Sequence, residues 1–600
     1  MSSYNLLEVD DLRITGTKLH YFALILRVPI IGNLILSILK KANLNGVITF
    51  AEKLVFDYPL YYPLHKMSQE EKDRHEEMTN MDGPSLIRHL ALEQKNLISI
   101  KNGTEPEPFR HWTIHDYTSR YKKGEVTPTN VIEYIIKSVQ QEINPKNPII
   151  IHMNQEILRR EAAASTERYA NGRPQGVLDG VPIAIKDEIP TLGYRVTYGT
   201  SFISEAVTED KVCLPVRNLL NEGAIIIGKT NQHEIGLGTS GSNVHHGPAR
   251  NPYNDQYYTG GSSSGSAAAV AMGLVPLAVG SDGGGSIRIP SSLCGVIGLK
   301  PTFKRIPIDC NLAPSVVHIG PIAGSISDAA IAYSIMANGA STADDFRNQS
   351  SEQPSAHLFG FTNLDAGVDR SGSDPLKGLR VGVFWPHIED ADANVVKETK
   401  RAIEFFKCKG ANIVDITLPN LQEIHVGHSI TILTEIALFM RQHVKKGIHR
   451  FQPETQVMLK FADNFSNIEF LAAQRIRGFA MRHIEDLFRN QVDVIVSPAT
   501  ASIAPQIRED TVTKGELNTR QAANLMRYVV HGNLCGIPAI VFPIGYDEET
   551  ELPISLQVQG GHWREDLLFK FARVGEGILE NGVKKPSFYV DTLGSSNISQ

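Results

Sequence analysis

Short apolar runs, bounded by turn residues and separated by helical stretches, set the strongest limit on how this chain can fold. Val181–Ile185, Ala224–Ile227, Leu379–Phe384 and Val492–Val496 are four to six residues long and mostly Val, Ile, Leu, Ala or Phe. Runs so short suit strands buried on both faces rather than helices, which usually need ten or more residues. Thr127–Gln141 and Gln155–Asn171 read as helices between short strands. That alternation predicts an α/β fold, a sheet covered by helices. The composition, 42% hydrophobic and 21% charged, excludes disorder, collagen or coiled coil as a description of the whole chain.

Charge and cysteine usage narrow the function classes. Against 59 lysines and arginines stand 65 acidic residues, so no basic surplus points to nucleic acid as a partner. Five cysteines (Cys213, Cys294, Cys310, Cys408, Cys535) lie far apart with no CxxC pair. Such a set argues against a disulfide framework or a zinc ribbon and suits a reducing compartment. Glu8, Asp10 and Asp11 near the start are unlike a signal peptide. The apolar stretch Leu19–Leu39 is broken by Arg27, Pro29 and Asn33, which speaks against a membrane span. Beyond Pro29, Ile31, Leu34, Ile35, Ile38 and Leu39 repeat at helical spacing, ending at Lys40 and Lys41. This amphipathic helix either packs on the protein's own core or turns to a membrane surface or a partner. The expected organisation is an N-terminal helical extension over 1–110, a catalytic domain over 111–590 with a polar loop insertion near 341–377, and a tail over 591–600.

Three short motifs match known patterns without the context that their chemistry needs. Gly223–Thr230 fits the phosphate-binding GxxxxGK[ST], but Arg217–Glu222 before it looks helical and Ala224–Ile227 looks like a buried strand. Gly236–Gly241 fits GxGxxG, yet breaker residues rather than a helix follow. Gly261–Gly265 fits the GxSxG nucleophile elbow around Ser263, but Asp255–Thr259 reads as polar turn, not as the buried strand that an elbow requires.

The segment Thr259–Thr302 is the richest. It holds Gly260-Gly-Ser-Ser-Ser-Gly-Ser-Ala-Ala-Ala, then a helix of small residues, then Gly280-Ser-Asp-Gly-Gly-Gly-Ser286-Ile-Arg-Ile-Pro290. Gly283, Gly284 and Gly285 before Ser286 let backbone amides converge on a small anion, an oxyanion hole beside a serine hydroxyl.

These residues closely resemble the amidase signature family of Ser-Ser-Lys hydrolases. The likeness covers Gly180–Asp187, Gly228–Glu234, the two Gly/Ser blocks, and the late segments Asn533–Ala539 and Leu552–Gln557, over about 110–590. Within the family the wording of the Gly/Ser blocks and the long N-terminal extension are most similar to plant-type fatty acid amide hydrolases. The resemblance implies a mixed β-sheet core wrapped by helices, with an added N-terminal helical region. It implies Ser286 as nucleophile, Ser262 as bridging serine after a cis peptide, and Lys186 as base. Ser262 stands 24 residues and Lys186 100 residues before Ser286. Gly283, Gly284, Gly285 and Ser286 would supply the oxyanion hole, with Ser263, Asp282 and Arg288 in support. Gly283 stands where many relatives carry a bulkier residue, which touches acyl-group fit more than catalysis.

The chemistry is coherent. A serine hydroxyl needs a base, and a lysine on a buried strand can lose its charge because burial disfavours the ammonium. The resemblance implies hydrolysis of long-chain amides, N-acylethanolamines foremost, to a fatty acid and ethanolamine. It further implies no cofactor, a homodimer, and peripheral attachment to intracellular membranes (endoplasmic reticulum or plasma membrane). Two other readings stand beside it: an esterase using Ser263 with His531 or His562 as base, and a non-enzymatic membrane-docked scaffold. No HExxH stands in the chain, and the pairs His245/His246 and His425/His428 are too sparse for a metal site.

Overall fold

The computed structural model describes residues 4, 12–43, 47–54, 108–208, 211–307, 312–338 and 374–594. Residues 55–107 of the expected N-terminal extension, and 341–373 of the expected insertion, lie outside them.

Eleven strands form one mixed sheet. They are β1 (Ile150–His152), β2 (Pro182–Lys186), β3 (Ile225–Thr230), β4 (Leu277–Asp282), β5 (Ile297–Lys300), β6 (His318–Ala323), β7 (Arg380–Val383), β8 (Asn412–Asp415), β9 (Val494–Pro498), β10 (Ala539–Tyr546) and β11 (Pro553–Gly560). Their order across the sheet is β8-β7-β9-β11-β10-β5-β6-β4-β2-β3-β1. Each of the four apolar runs became a strand of this sheet, displaced by up to three residues at an end. β2 is parallel to both β3 and β4, with Ile183 opposite Leu277 and Ile185 opposite Val279. The carboxyl ends of β2 and β4 therefore emerge side by side, the place where open α/β sheets hold their ligands.

The helices needed below are α1 (Gly16–Leu26), α2 (Pro29–Asn43), α3 (Val47–Lys53), α4 (Ser264–Ala271), α5 (Arg288–Leu293), α6 (Leu421–Gly447), α7 (Pro453–Ala462) and α8 (Asn467–Asn490). Every residue of α4 is buried, and its alanines let it sit close over β4. The three short motifs resolve as follows. Gly223 follows a helix (Leu214–Asn221) and precedes the buried strand β3, so the phosphate-loop pattern has no loop. No helix follows Gly241. Most of Asp255–Thr259, read as turn, belongs to a strand, Asn254–Tyr258, which pairs with Arg250–Asn251 in a two-stranded ribbon outside the main sheet.

The described part of the N-terminal extension is tied to the body. Arg13–Thr15 pairs with Glu516–Asn518, and Arg13 meets Glu516 at 2.7 Å. Leu19, Ala23 and Leu26 of α1 and Leu36 of α2 are buried around Val457 of α7. Lys40 holds Glu469 at 2.7 Å and the Asn464 carbonyl at 2.8 Å. The predicted stripe of α2 packs only in part: Ile35 is half-buried against this cluster, whereas Ile31, Leu34 and Ile38 are exposed, the last two at 62% and 60%. Among the described residues no single helix is long and apolar enough to cross a membrane.

Candidate active site

Lys186 ends β2 completely buried, and its Nζ donates to Ser262 Oγ at 2.7 Å and to Ser281 Oγ at 2.7 Å. Ser262 follows a cis Gly261–Ser262 peptide at the entry to α4. Burial pushes the Lys186 amine below the usual lysine range, and the carboxylates of Glu188, Asp282 and Asp187 oppose that push. The direction favours a neutral amine, the form that can accept a proton.

Ser286 stands on the adjoining turn after β4, 9% exposed, and its carbonyl accepts from the Ser263 N–H at 3.1 Å. Among the described residues no hydrogen bond joins the Ser262 and Ser286 hydroxyls. The Lys186–Ser262 link is thus formed and the Ser262–Ser286 link is open.

The glycine loop is held from beneath. Asp282 is buried, and its carboxylate accepts from the Gly285 N–H at 2.8 Å, the Ile287 N–H at 3.2 Å and the Arg288 N–H at 3.3 Å. The Arg288 guanidinium grips both of its oxygens at 3.0 Å. Burial alone would raise the Asp282 pKa, but Arg288, Lys300 and the Asn533 amide outweigh it and hold the carboxyl far below the usual range. These bonds correct one expectation. The Gly285 N–H is committed to Asp282, so it is Gly283, Gly284 and Ser286 whose N–H groups carry no such internal bond. Of the three glycines only Gly285, at φ +101°, needs the left-handed region, and a Cβ there would lie 2.7 Å from Ile289. At Gly283 a Cβ would meet Ile432 and Val317 at 3.0 Å each, so those two side chains fill the room that a bulkier residue would take.

Ser263 is buried and donates to the Ser281 carbonyl at 3.1 Å. The two histidines of the elbow reading are not joined to it: His562 bonds to the Cys535 carbonyl at 3.0 Å, and His531 forms no hydrogen bond with Ser263.

Three residues at the site were missed from the sequence. Ser281 and Glu188 join Lys186: Ser281 Oγ donates to Glu188, whose carboxylate also lies 3.3 Å from Nζ. Glu188 lies in the turn just past the end of β2, where strand alternation no longer says which way a side chain faces, so no periodic signal marked it. His428 of α6 contacts the Gly283 carbonyl through Nε2 at 2.8 Å. Burial pushes this imidazole down to about 4, so it is neutral and donates from Nε2. His425 likewise bonds a carbonyl, that of Arg527, at 3.1 Å. Among the described residues no group of three or more His, Cys, Asp or Glu side chains is placed to hold a metal ion.

A buried lysine thus lies 2.7 Å from a serine hydroxyl, beside a glycine loop that ends in a second serine. The family model described as Amidase matches residues 130–569, and the chain belongs to that family. It is an amidase, an enzyme that hydrolyses amide bonds. It is 35% identical over 599 residues to a fatty acid amide hydrolase of Medicago truncatula, covering 97% of this chain and 95% of that protein. With a fatty acid amide hydrolase of Arabidopsis thaliana it shares 34% over 595 residues, with the same coverage. The crystal structure of native peptide amidase from Stenotrophomonas maltophilia superposes with a TM-score of 0.65 at 25% identity, over 81% of this chain and 100% of that one.

Proposed function

We propose that the enzyme hydrolyses long-chain fatty acid amides, N-acylethanolamines foremost, through Ser286, Ser262 and Lys186. The observation that carries this reading is the buried Lys186–Ser262 bond of 2.7 Å, in a chain similar to plant fatty acid amide hydrolases over nearly its full length.

Neutral Lys186 draws a proton from Ser262, and Ser262 draws one from Ser286 as its oxygen attacks the amide carbonyl. The oxyanion forms against the N–H groups of Gly283, Gly284 and Ser286. An amine is a poor leaving group, so the proton travels back from Lys186 through Ser262 to the departing nitrogen. Water then attacks the acyl-enzyme, giving the fatty acid and restoring Ser286. Gly283 with Ile432 and Val317 shapes the acyl side of the loop.

A long-chain amide resides in membranes, and the exposed apolar residues of α1 and α2 fit peripheral docking on an intracellular bilayer surface. Tyr21, Leu24, Ile25, Val28, Ile31, Leu34 and Ile38 are all exposed. The test of the catalytic reading has two parts. A fluorophosphonate probe should attach to Ser286, located by peptide mass spectrometry, and a substrate panel should rank saturated and unsaturated N-acylethanolamines above short amides. Attachment at Ser263, or cleavage confined to short amides, would sink it.

A further inference from the structure

The relay expected from the sequence stops at Lys186, but the structure continues it by one carboxylate. Lys186 Nζ has three polar neighbours: Ser262 Oγ and Ser281 Oγ, each at 2.7 Å, and Glu188 Oε1 at 3.3 Å. Ser281 closes a triangle by donating to the same Glu188 oxygen. The other oxygen of Glu188 accepts from Gln232 Nε2 at 3.1 Å, while the Gln232 carbonyl takes the Glu188 N–H at 3.0 Å. Glu188 is 7% exposed, and Lys186 is fully buried.

The other charged groups around Lys186 have employment elsewhere. Asp187, its chain neighbour, accepts from Thr197 Oγ1 at 2.6 Å and the Gly199 N–H at 2.7 Å. Asp282 of β4 is gripped by Arg288. Lys229 of β3 turns its amine to the Ile189 carbonyl and to Thr191. Glu188 is therefore the carboxylate in contact with the base.

We propose that Glu188 is a positioning residue of the relay: it aims the Lys186 amine at Ser262 and sets how strongly that amine holds a proton. The proposal rests on the Ser286–Ser262–Lys186 reading above and deepens it. Lys186 has two opposed duties, taking a proton when Ser286 attacks and returning it to the leaving nitrogen. A base too weak fails the first, and an acid too weak fails the second. Burial alone drives the amine toward the weak-base limit, whereas an adjacent carboxylate favours the ammonium and moves it back. No proton leaves the site for this. The N–H bond made in the attack is the one broken at amine departure, and Glu188 stays an anion throughout.

The experiment is the pH dependence of fluorophosphonate attachment to Ser286 in wild type, Glu188→Gln, Glu188→Asp and Lys186→Ala. Removing the carboxylate lets Lys186 shed its proton at lower pH but makes it a weaker base. Glu188→Gln should therefore move the acid limb down by about one pH unit and lower the alkaline plateau about tenfold. Its loss against wild type is then smallest at low pH. Glu188→Asp should bring back most of the wild-type limb. Glu188→Asn gives the same readout if the glutamine variant does not melt cooperatively. A folded Gln or Asn variant with a wild-type limb and only a reduced amplitude would overturn the proposal, since that is the mark of a merely structural residue. Absence of attachment at Ser286 in wild type would instead overturn the nucleophile assignment, and a wild-type limb in Lys186→Ala would overturn the base.

Discussion

The Gly/Ser centre and the N-terminal helix pair are both rich in meaning, but they are built on opposite principles. In the centre Lys186, Ser262, Asp282 and Arg288 are buried and hydrogen-bonded: Asp282 alone accepts three backbone N–H groups and a guanidinium, and Arg288 also reaches Val529, Gln557 and Asn533. In the helix pair the packing is one-sided, and six large apolar residues of the helices, with Val28 between them, face outward. Buried polar groups leave little freedom, because each partner lost costs about 1–3 kcal/mol. An exposed apolar face is under no such constraint, and what covers it decides what it does. Chemistry at the centre should therefore respond to single atoms, and the helix pair to the summed apolar area.

The largest effect is expected at the centre. Ser286→Ala removes the proposed nucleophile and should lower amide hydrolysis by about 10⁴-fold or more, with an unchanged melting temperature. Lys186→Ala comes next, at about 10³-fold for amides, with a milder loss for esters of the same acyl chain. An alkoxide leaves with less help than an amine, so the returning proton matters less. Wild-type activity should rise with pH through a value below that of free lysine, since the buried amine must be neutral to start the relay. Equal losses on both substrates would remove the reason for placing Lys186 in the proton path.

His428 tests whether support one step from the chemistry behaves like the centre. His428→Ala should cut activity about tenfold by freeing the Gly283 carbonyl, and His428→Gln, which keeps a donor, should recover part of it. The same imidazole links activity to stability. Its folded-state pKa of about 4 lies below the ordinary value near 6.5, so the unfolded chain binds the extra proton. Its stabilising contribution is whole above about 6.5 and falls by about 1.4 kcal/mol per unit as pH drops toward 4. The variant should therefore show a shallower acid decline in denaturant unfolding than wild type. An equal slope would mean that His428 titrates normally.

The two regions also differed in how much of them the sequence disclosed. The strands were legible because Val181–Ile185 and Ala224–Ile227 are apolar enough to be buried on both faces. The resemblance singled out Lys186, Ser262 and Ser286, and Lys186 and Ser286 follow neighbouring strands because β2 and β4 run side by side and parallel. Long helices α6 and α8 went unread, for their apolar residues serve several neighbours at once and give no clean stripe. The Asp282–Gly285 bond was hidden because a glycine loop does not say which of its N–H groups turn inward. In α1, Tyr21, Leu24 and Ile25 face out while Leu19, Ala23 and Leu26 face in, so apolar residues all round erased the period.

The smallest and most selective effect belongs to the helix pair. Ile31, Leu34 and Ile38 are exposed, and Ile468 and Leu471 lie exposed on α8 near the Glu469 that holds Lys40. Ile35 is only partly buried, so serine at Ile31, Leu34, Ile35 and Ile38 removes apolar surface that the fold scarcely uses. Fully transferring one such side chain into lipid contributes about 1.5–3 kcal/mol, so partial insertion of four still separates a bound from a free protein. The variant should float with vesicles several-fold less than wild type and lose several-fold in activity on long-chain amides presented in them. It should cleave a short water-soluble amide at the wild-type rate, with a melting temperature within a few degrees. A variant that aggregates and loses both activities would show that the stripe belongs to the core. One that keeps full activity on vesicle-borne substrate would show that the exposed face has no part in reaching it.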